Sequence, residues 1–99
     1  MEYRIEFAAD AIEHLRGFAA RDRRRLIDAI EQQLSHQPTV ETRNRKAMRP
    51  NPLAPRELRV GEFRVYFDVM DKPESAVRVL AVGVKRGNQV FIGDEEIEI

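Results

Sequence analysis

The fold is decided by residues 57–70, ELRVGEFRVYFDVM. In its second half, every other residue is apolar: Phe63, Val65, Phe67 and Val69. The residues that alternate with them are Arg64, Tyr66, Asp68 and Met70. Such alternation predicts a half-buried strand, because successive side chains of a strand point to opposite faces. Residues 57–60 predict a second strand, and Gly61-Glu62 predicts the tight turn between them. The stretch is therefore an antiparallel hairpin.

The segments on either side of this hairpin extend the sheet. Residues 77–84 are apolar on both faces apart from Arg78, which is typical of a central strand covered on each side. Residues 90–92 predict a short final strand or extended segment. At the other end of the chain, Tyr3, Ile5 and Phe7 alternate with charged residues and predict an N-terminal strand.

Two helices are predicted between the first strand and the hairpin. The first has Ile12, Leu15 and Phe18 or Ala19 on one face, with Asp10 as its expected cap. The second is expected to be capped by Asp22 and to end near Gln37, because Pro38 disfavours helical geometry in the residue before it. Its apolar stripe is formed by Leu26, Ile27, Ile30 and Leu34.

These elements predict one α+β domain over residues 1–99. An N-terminal strand and a helical hairpin precede a curved antiparallel sheet of three or four further strands, with the helices on one face and the other face partly open. Residues 38–55 carry four prolines and little periodicity, which predicts a long ordered loop. An acidic tail closes the sequence: Asp94, Glu95, Glu96 and Glu98.

The composition excludes several classes of protein. The 99 residues contain no cysteine and two histidines, which excludes disulfides and thiol catalysis and argues against a metal site. No cofactor-binding motif is present. No apolar stretch approaches transmembrane length, and the start MEYRIEF does not resemble a signal peptide. We therefore expect a soluble, cytoplasmic protein that needs no cofactor.

Charge is unevenly distributed along a chain whose formal net charge is zero. Between residues 43 and 64 there are two acids and seven cations: Arg43, Arg45, Lys46, Arg49, Arg56, Arg59 and Arg64. A local basic field of this kind attracts phosphates or acidic partners. The open sheet face is where several polar side chains are expected to meet: Arg59, Arg64, Tyr66, Lys85 and Arg86. An alternative interpretation is that these arginines cover an exposed face and pair with Glu57, Glu62 and Asp68.

The order of the elements and two segments, ELRVGEFRVYFDVM and VRVLAVGVKRGNQVF, resemble the RelE/ParE superfamily of toxins from bacterial type II toxin–antitoxin systems. The resemblance covers essentially the whole chain. Its motifs are a leucine-arginine strand, a glycine turn, an aromatic-arginine strand, and a last strand ending in glycine and basic residues.

The resemblance implies alternative activities. RelE-like members are endoribonucleases that cut mRNA on the ribosome by attack of the ribose 2′-hydroxyl, whereas ParE-like members inhibit DNA gyrase without chemistry of their own. Members of both groups are neutralised by a cognate antitoxin. A degenerate toxin that only binds its antitoxin is a third interpretation. We favour the RelE-like activity, with ribosome and mRNA as partners and no membrane.

Site residues follow from the resemblance. Arg64 matches the arginine that contacts the scissile phosphate, and Arg59 matches a basic position on the preceding strand. Lys85 or Arg86 matches the basic position after the glycine of the last long strand. These four residues form the predicted catalytic set. Arg56, Tyr66 and Phe91 are the predicted RNA-binding residues, with Phe91 stacking on a base.

Two departures from the RelE pattern concern proton transfer. Lysines usually precede the leucine-arginine pair, where this chain has Pro55, Arg56 and Glu57, and Phe91 replaces a late tyrosine. Phenylalanine cannot transfer a proton, and the charge of a glutamate repels phosphate unless it is neutralised. Tyr66, on the same predicted face as Arg64, is a possible substitute.

Overall fold

The computed structural model describes residues 2–97. In chain order its elements are β1 (Arg4–Phe7), α1 (Ala9–Arg16), α2 (Ala20–Leu34), β2 (Arg45–Ala47), β3 (Arg56–Val60), β4 (Phe63–Met70), β5 (Ala76–Arg86), β6 (Gln89–Ile92) and β7 (Glu95–Ile97). The strands form one open sheet in the order β2-β3-β4-β5-β6-β7, with antiparallel neighbours, and β1 pairs with β5 in parallel. The predicted α+β architecture is confirmed.

Two strands lie where the sequence predicted none. Strand β2 lies inside the segment predicted as loop, where Arg45, Lys46 and Ala47 pair with β3. Strand β7 lies in the acidic tail and pairs with β6; Glu98 is outside the described residues. Both are three-residue, charged edge strands, which is how native sheets limit pairing with other chains. Backbone bonding, rather than apolar alternation, forms them.

The predicted helix caps were wrong. The residues at the N-cap positions are Ala8 and Ala19, and neither makes a capping bond through its side chain. Asp10 and Asp22 instead lie in the first helical turns, where a carboxylate interacts favourably with the positive end of the helix dipole. Helix α2 ends at Leu34, three residues before the expected position.

The main core lies between the helices and one face of the sheet. The buried stripe of α2 is Leu26, Ile30 and Leu34, and the sheet contributes Leu58 and Phe67 among its fully buried residues. Next to them Phe18 packs edge-on against Phe63, with ring centroids 5.1 Å apart. Burial of this apolar surface, at about 25 cal/mol per Å², is the main stabilising contribution of the fold.

A β-bulge explains why β5 is apolar at both parities. Tyr66 lies opposite Ala81 and Phe67 lies opposite Val79, so Leu80 is an extra residue in the ladder. The bulge shifts the alternation by one residue. Core residues on β5 are therefore Val77 and Val79 before it and Val82 and Val84 after it.

The far edge of β5 changes its partner near this bulge. Strand β1 pairs with residues 76–79 of β5, and β6 pairs with residues 84–86. Between these two ladders the backbone N–H of Val82 donates to Nδ1 of His14, at 3.2 Å. The imidazole thereby satisfies a backbone donor that no strand reaches.

Candidate functional site

The polar side chains of the β3–β4 hairpin lie on the face of the sheet opposite the helices. The pairing register places Lys46, Glu57, Tyr66 and Ala81 in one row across four strands. Arg59 and Arg64 are directly paired in the next row, followed by Gly83. Because side chains in neighbouring strands lie side by side, the register alone brings these polar groups together.

The polar residues of these two rows line a cleft of about 430 Å³, called here the basic cleft. Five of its lining residues are the cations Lys46, Arg49, Arg59, Arg64 and Lys85, and Glu57 and Tyr66 lie in its floor. The remaining lining residues are Ala47, Met48, Asn88 and Val90. The cleft thus combines several positive groups with one acid and a small apolar surface.

Arg64 is the most firmly held of the five cations. It is only 8% exposed, and its Nη1 donates to the backbone oxygens of Gly61 and Phe63, each at 2.8 Å. The turn itself therefore fixes the guanidinium, with Gly61 at φ +58°, a conformation that glycine adopts without strain. An arginine fixed in this way can offer its other N–H donors to a ligand with little further loss of side-chain entropy.

Glu57 is buried in the floor, 7% exposed, and is flanked by two cations. Its Oε1 lies 3.6 Å from Nε of Arg59 and 4.0 Å from Nζ of Lys46. Both distances exceed the 2.7–3.2 Å of a normal N–H···O bond. The carboxylate is therefore partly neutralised by positive charge without being held by a close ion pair.

Tyr66 lies beside Glu57 and is fully buried. Its hydroxyl finds no hydrogen-bond partner among the described residues. Burial, and then the charge of the Glu57 carboxylate, raises the pKa of Tyr66 well above its usual value, while Arg64 opposes this effect. The carboxylate acts on the hydroxyl by its charge and by a marginal hydrogen-bond contact, which does not reach the geometry of a formed bond. Tyr66 therefore stays protonated and can act as a donor, not as a base.

The structure brings four of the predicted site residues into the cleft: Arg59, Arg64, Tyr66 and Lys85. It does not bring Arg86, Phe91 or Arg56 there. Arg86 and Phe91 line a separate depression on the helix side of the sheet, beside His14 and Phe18. The expectation that Arg86 joins Arg64 on the open face was therefore wrong, and Phe91, predicted to stack on a base, lies outside the basic cleft.

Strand periodicity is the reason for this separation. Lys85 and Arg86 are consecutive in β5, so their side chains point to opposite faces. Phe91 pairs with the core residue Val84 and shares its face. By the same alternation Arg56 lies with the core-facing residues of β3, and its Nη1 donates to the backbone oxygen of Thr39 at 3.4 Å.

Sequence reasoning missed other members of the cleft. Glu57 departs from the RelE pattern and was not predicted as a site residue, although it lies two residues from Arg59 on the same strand and therefore on the same face. Lys46 and Met48 gave no usable signal, because their place depends on the pairing of β2 with β3. Within residues 2–97 no group of three or more acidic or histidine side chains is arranged to hold a metal ion.

A further observation concerns membranes. No helix in the described part of the chain combines the length and apolar character needed to cross a bilayer.

Comparison with known proteins identifies the fold. No protein-family model matches the sequence. No curated protein is significantly similar to it either. Among solved structures, one similar chain is from the toxin–antitoxin complex RelBE2 of Mycobacterium tuberculosis, with 21% identity and a TM-score of 0.73, covering 86% of this chain and 93% of that one.

A second similar structure is the archaeal RelE–RelB complex of Pyrococcus horikoshii OT3. Its TM-score is 0.66 at 19% identity, and the match covers 88% of this chain and 98% of that one. Both neighbours are RelE components of RelBE complexes. The chain therefore has the RelE fold, as its sequence motifs predicted.

Proposed function

We propose that this chain is the toxin of a type II toxin–antitoxin system, and that it inhibits translation by cleaving mRNA on the ribosome. The observation that supports this proposal is the basic cleft, in which Lys46, Arg59, Arg64 and Lys85 surround one concave surface. The RelE fold of the chain is consistent with it.

The cleft is suited to the charge that develops in RNA cleavage. When a ribose 2′-oxygen attacks the adjacent phosphorus, the pentacovalent intermediate carries more negative charge than the ground state. Cations fixed before the reaction stabilise that charge without reorganising, and this is usually the largest catalytic contribution. Arg64, held by two backbone oxygens, is the leading candidate for this role. Arg59 and Lys85 add positive charge on either side.

An antitoxin is the proposed partner, since both structural neighbours are toxin–antitoxin complexes. The chain has 17 acidic and 17 basic residues, so a partner would not be attracted by net charge. The field of the cleft is local and suits an acidic segment. We propose that such a segment covers the cleft and blocks access of RNA. The cytoplasm, where ribosomes are found, is the proposed location.

The test is a purified translation reaction that contains ribosomes, a defined mRNA and the chain. We expect the mRNA to be cut at the ribosome with 2′,3′-cyclic phosphate ends. Arg64→Ala should lower the cleavage rate by about 10²–10³-fold, the loss typical of a donor that stabilises transition-state charge. The matched control is Arg16→Ala, which removes an exposed arginine of α1 paired with Glu13 and should leave cleavage unchanged.

Induced expression in cells provides the complementary test. Translation should stop before any sign of DNA damage. Double-strand breaks with early translation unaffected would instead indicate gyrase as the target, and undisturbed growth would indicate a chain that only binds its antitoxin. Either outcome would contradict the proposed mRNA cleavage.

A further inference from the structure

Glu57 differs from the other acids whose ion pairs the structure describes. Glu6, which is half-buried, and Glu74, which is exposed, pair with Arg4 at 2.6 Å, and the exposed Glu13 pairs with Arg16 at 2.8 Å. Within residues 2–97, Glu57 is the one acidic residue that is buried. Burying a charge costs several kcal/mol unless close partners compensate it, and its two cations stand beyond hydrogen-bond distance. This carboxylate is therefore poorly explained as a structural ion pair.

A second polar group beside it is also incompletely satisfied. The Tyr66 hydroxyl is buried and has no partner in the described part of the chain, an arrangement that typically costs about 1–3 kcal/mol. Buried orphan groups of this kind are uncommon and require an explanation. Tyr66 and Glu57 are direct partners across β3 and β4. Directly paired side chains lie side by side on one face, so the carboxylate is the acceptor nearest to hand across the pair.

We propose that Glu57 accepts the proton of the attacking ribose 2′-hydroxyl, and that Tyr66 is a positioning residue that orients its carboxylate. This proposal rests on the RNA cleavage proposed above and supplies the proton acceptor that the cations alone cannot provide. It also replaces Tyr66 as the possible proton-transfer group, since a buried phenol next to a carboxylate is a poor base.

The reaction balances with groups that line the cleft. The proton of the 2′-hydroxyl moves to Glu57 while the 2′-oxygen forms a bond to phosphorus. The bond from phosphorus to the 5′-oxygen then breaks, and the leaving oxygen takes a proton from the ammonium group of Lys85. The products are a 2′,3′-cyclic phosphate and a 5′-hydroxyl. No metal, oxidant or further reactant is required.

The neighbouring cations offset the repulsion between the Glu57 carboxylate and a phosphate. Arg59 and Lys46 flank Glu57 at 3.6 and 4.0 Å, and Arg64 is directly paired with Arg59 across the hairpin. The local charge around the acid is therefore positive. A phosphate can approach while the carboxylate remains available, because neither flanking cation is close enough to occupy its lone pairs with a short bond.

The first experiment compares Glu57→Gln with Glu62→Gln, which changes an exposed acid in the turn of the same hairpin. Cleavage of mRNA on purified ribosomes is measured with saturating protein. Glu57→Gln should lower the cleavage rate by about 10²–10⁴-fold, the usual contribution of general base catalysis, without weakening ribosome binding. Glu62→Gln should cleave at the wild-type rate. Wild-type cleavage by Glu57→Gln would overturn the assignment and leave the proposed function intact.

Two further measurements separate a base from a structural group. Formate should restore part of the cleavage by Glu57→Ala, because it can replace the missing carboxylate, but it should not restore Arg64→Ala. An mRNA with sulfur in place of the bridging 5′-oxygen has a leaving group that needs no proton. If that substrate rescues Glu57→Gln, the residue is an acid and the proposal is wrong.

The role of Tyr66 is tested in the same background. Tyr66→Phe should lower the maximal cleavage rate and leave the substrate concentration for half-saturation unchanged. In the Glu57→Ala chain, adding Tyr66→Phe should weaken the rescue by formate, because formate loses the hydrogen bond of the hydroxyl. Equal rescue with and without the hydroxyl would remove Tyr66 from the proposal. Failure of the unmodified chain to cleave would instead refute the proposed function, and this inference with it.

Discussion

The two faces of the β3–β4 hairpin are buried for different reasons. On the helix face, Leu58, Val65 and Phe67 are fully buried among apolar side chains. On the other face, Glu57 and Arg64 are almost as deeply buried, yet they are charged. The same hairpin thus contributes apolar burial from one side and a polar site from the other.

A small second core explains how the open face encloses polar groups. Ala54, Tyr66 and Ala81 form a buried cluster, with Met48 and Leu53 among the partly buried residues packed on it. The proline-rich loop that precedes β3 supplies several of these residues and is ordered by one side chain. Asn51 donates to the backbone oxygens of Arg49 and Ala54 and accepts from the N–H groups of Leu53 and Ala54. This loop therefore forms one wall of the basic cleft, through Met48 and Arg49.

The largest expected effect is a loss of stability on the helix face. Phe67→Ala removes a fully buried ring and leaves a cavity, which should lower the free energy of unfolding by about 3–5 kcal/mol. The urea midpoint measured by circular dichroism checks this value. Arg59→Ala, at an exposed position on the other face, removes one of the two cations beside Glu57 but no buried apolar surface, and should lower it by no more than about 1 kcal/mol. Similar losses for both variants would contradict the difference between the faces.

An intermediate effect is expected where the faces meet at β5 and β6. A Cβ atom at Gly83 would lie 2.6 Å from the backbone oxygen of Phe91 and 2.9 Å from Cγ1 of Ile92. Gly83→Ala should therefore push β6 away from β5 and destabilise the chain by about 1–3 kcal/mol. Its effect should appear as faster amide exchange in β6.

The matched control for this substitution is Gly87→Ala. A Cβ at Gly87 meets no atom within 4 Å, but the residue has φ +63°. Alanine there should destabilise by the backbone strain alone, about 1 kcal/mol, with exchange in β6 unchanged away from the turn. If Gly83→Ala proved milder than Gly87→Ala, the close approach of β6 would not be a determinant of this sheet.

A smaller effect depends on pH. Burial lowers the pKa of His14, and the charge of Asp10 partly opposes this effect. Since the pKa is lower in the folded chain, the stability that His14 contributes is present above its unfolded value of about 6.5 and is lost as the pH falls through the folded value. Protonation of Nδ1 would also remove the acceptor for Val82. The loss should be below about 1 kcal/mol, because the imidazole is only partly buried.

Urea unfolding at pH 7.5 and at pH 5 measures this contribution. The free energy of unfolding should differ less between the two pH values in His14→Gln than in the unmodified chain. The glutamine side-chain oxygen can still accept from the N–H of Val82, but the side chain does not titrate. His36→Gln is the control for the other histidine and should keep the difference. An unchanged pH dependence in His14→Gln would show that the imidazole does not carry it.

The sequence could predict the elements that bury apolar surface, and with them the fold. Helix α2 and strands β4 and β5 have long apolar patterns, and each was found at the predicted place. Strands β2 and β7 could not be predicted, because three residues at a sheet edge, two of them charged, carry no apolar pattern. Their formation depends on backbone bonds to partners distant in sequence.

The cleft was predictable only where alternation within one strand decides the face. Arg64 and Tyr66 share a parity along β4, and both were correctly placed on the open face. Arg86 was not, because its face depends on the bulge at Leu80. The face of Phe91 could not be predicted, because it depends on the register of β6. Lys46 required knowledge of a pairing between distant segments. The sheet face of a side chain could not be predicted from the sequence where it depends on the pairing register of two strands rather than on alternation within one strand.

The smallest expected change in stability belongs to the open face. Tyr66→Phe removes a buried hydroxyl that has no partner in the described residues, so it should leave the free energy of unfolding unchanged or raise it by up to about 1 kcal/mol. Tyr3→Phe is the matched control, since the Tyr3 hydroxyl donates to Oδ1 of Asp71 at 2.6 Å. That substitution should lower stability by a few tenths of a kcal/mol, as expected for an exposed bond. Thermal unfolding distinguishes the two substitutions.

A clear destabilisation by Tyr66→Phe would mean that the hydroxyl already donates a hydrogen bond within the folded chain, to Glu57 or to another group. The open face would then be satisfied in the same way as the helix face, and the contrast between them would lie in charge alone.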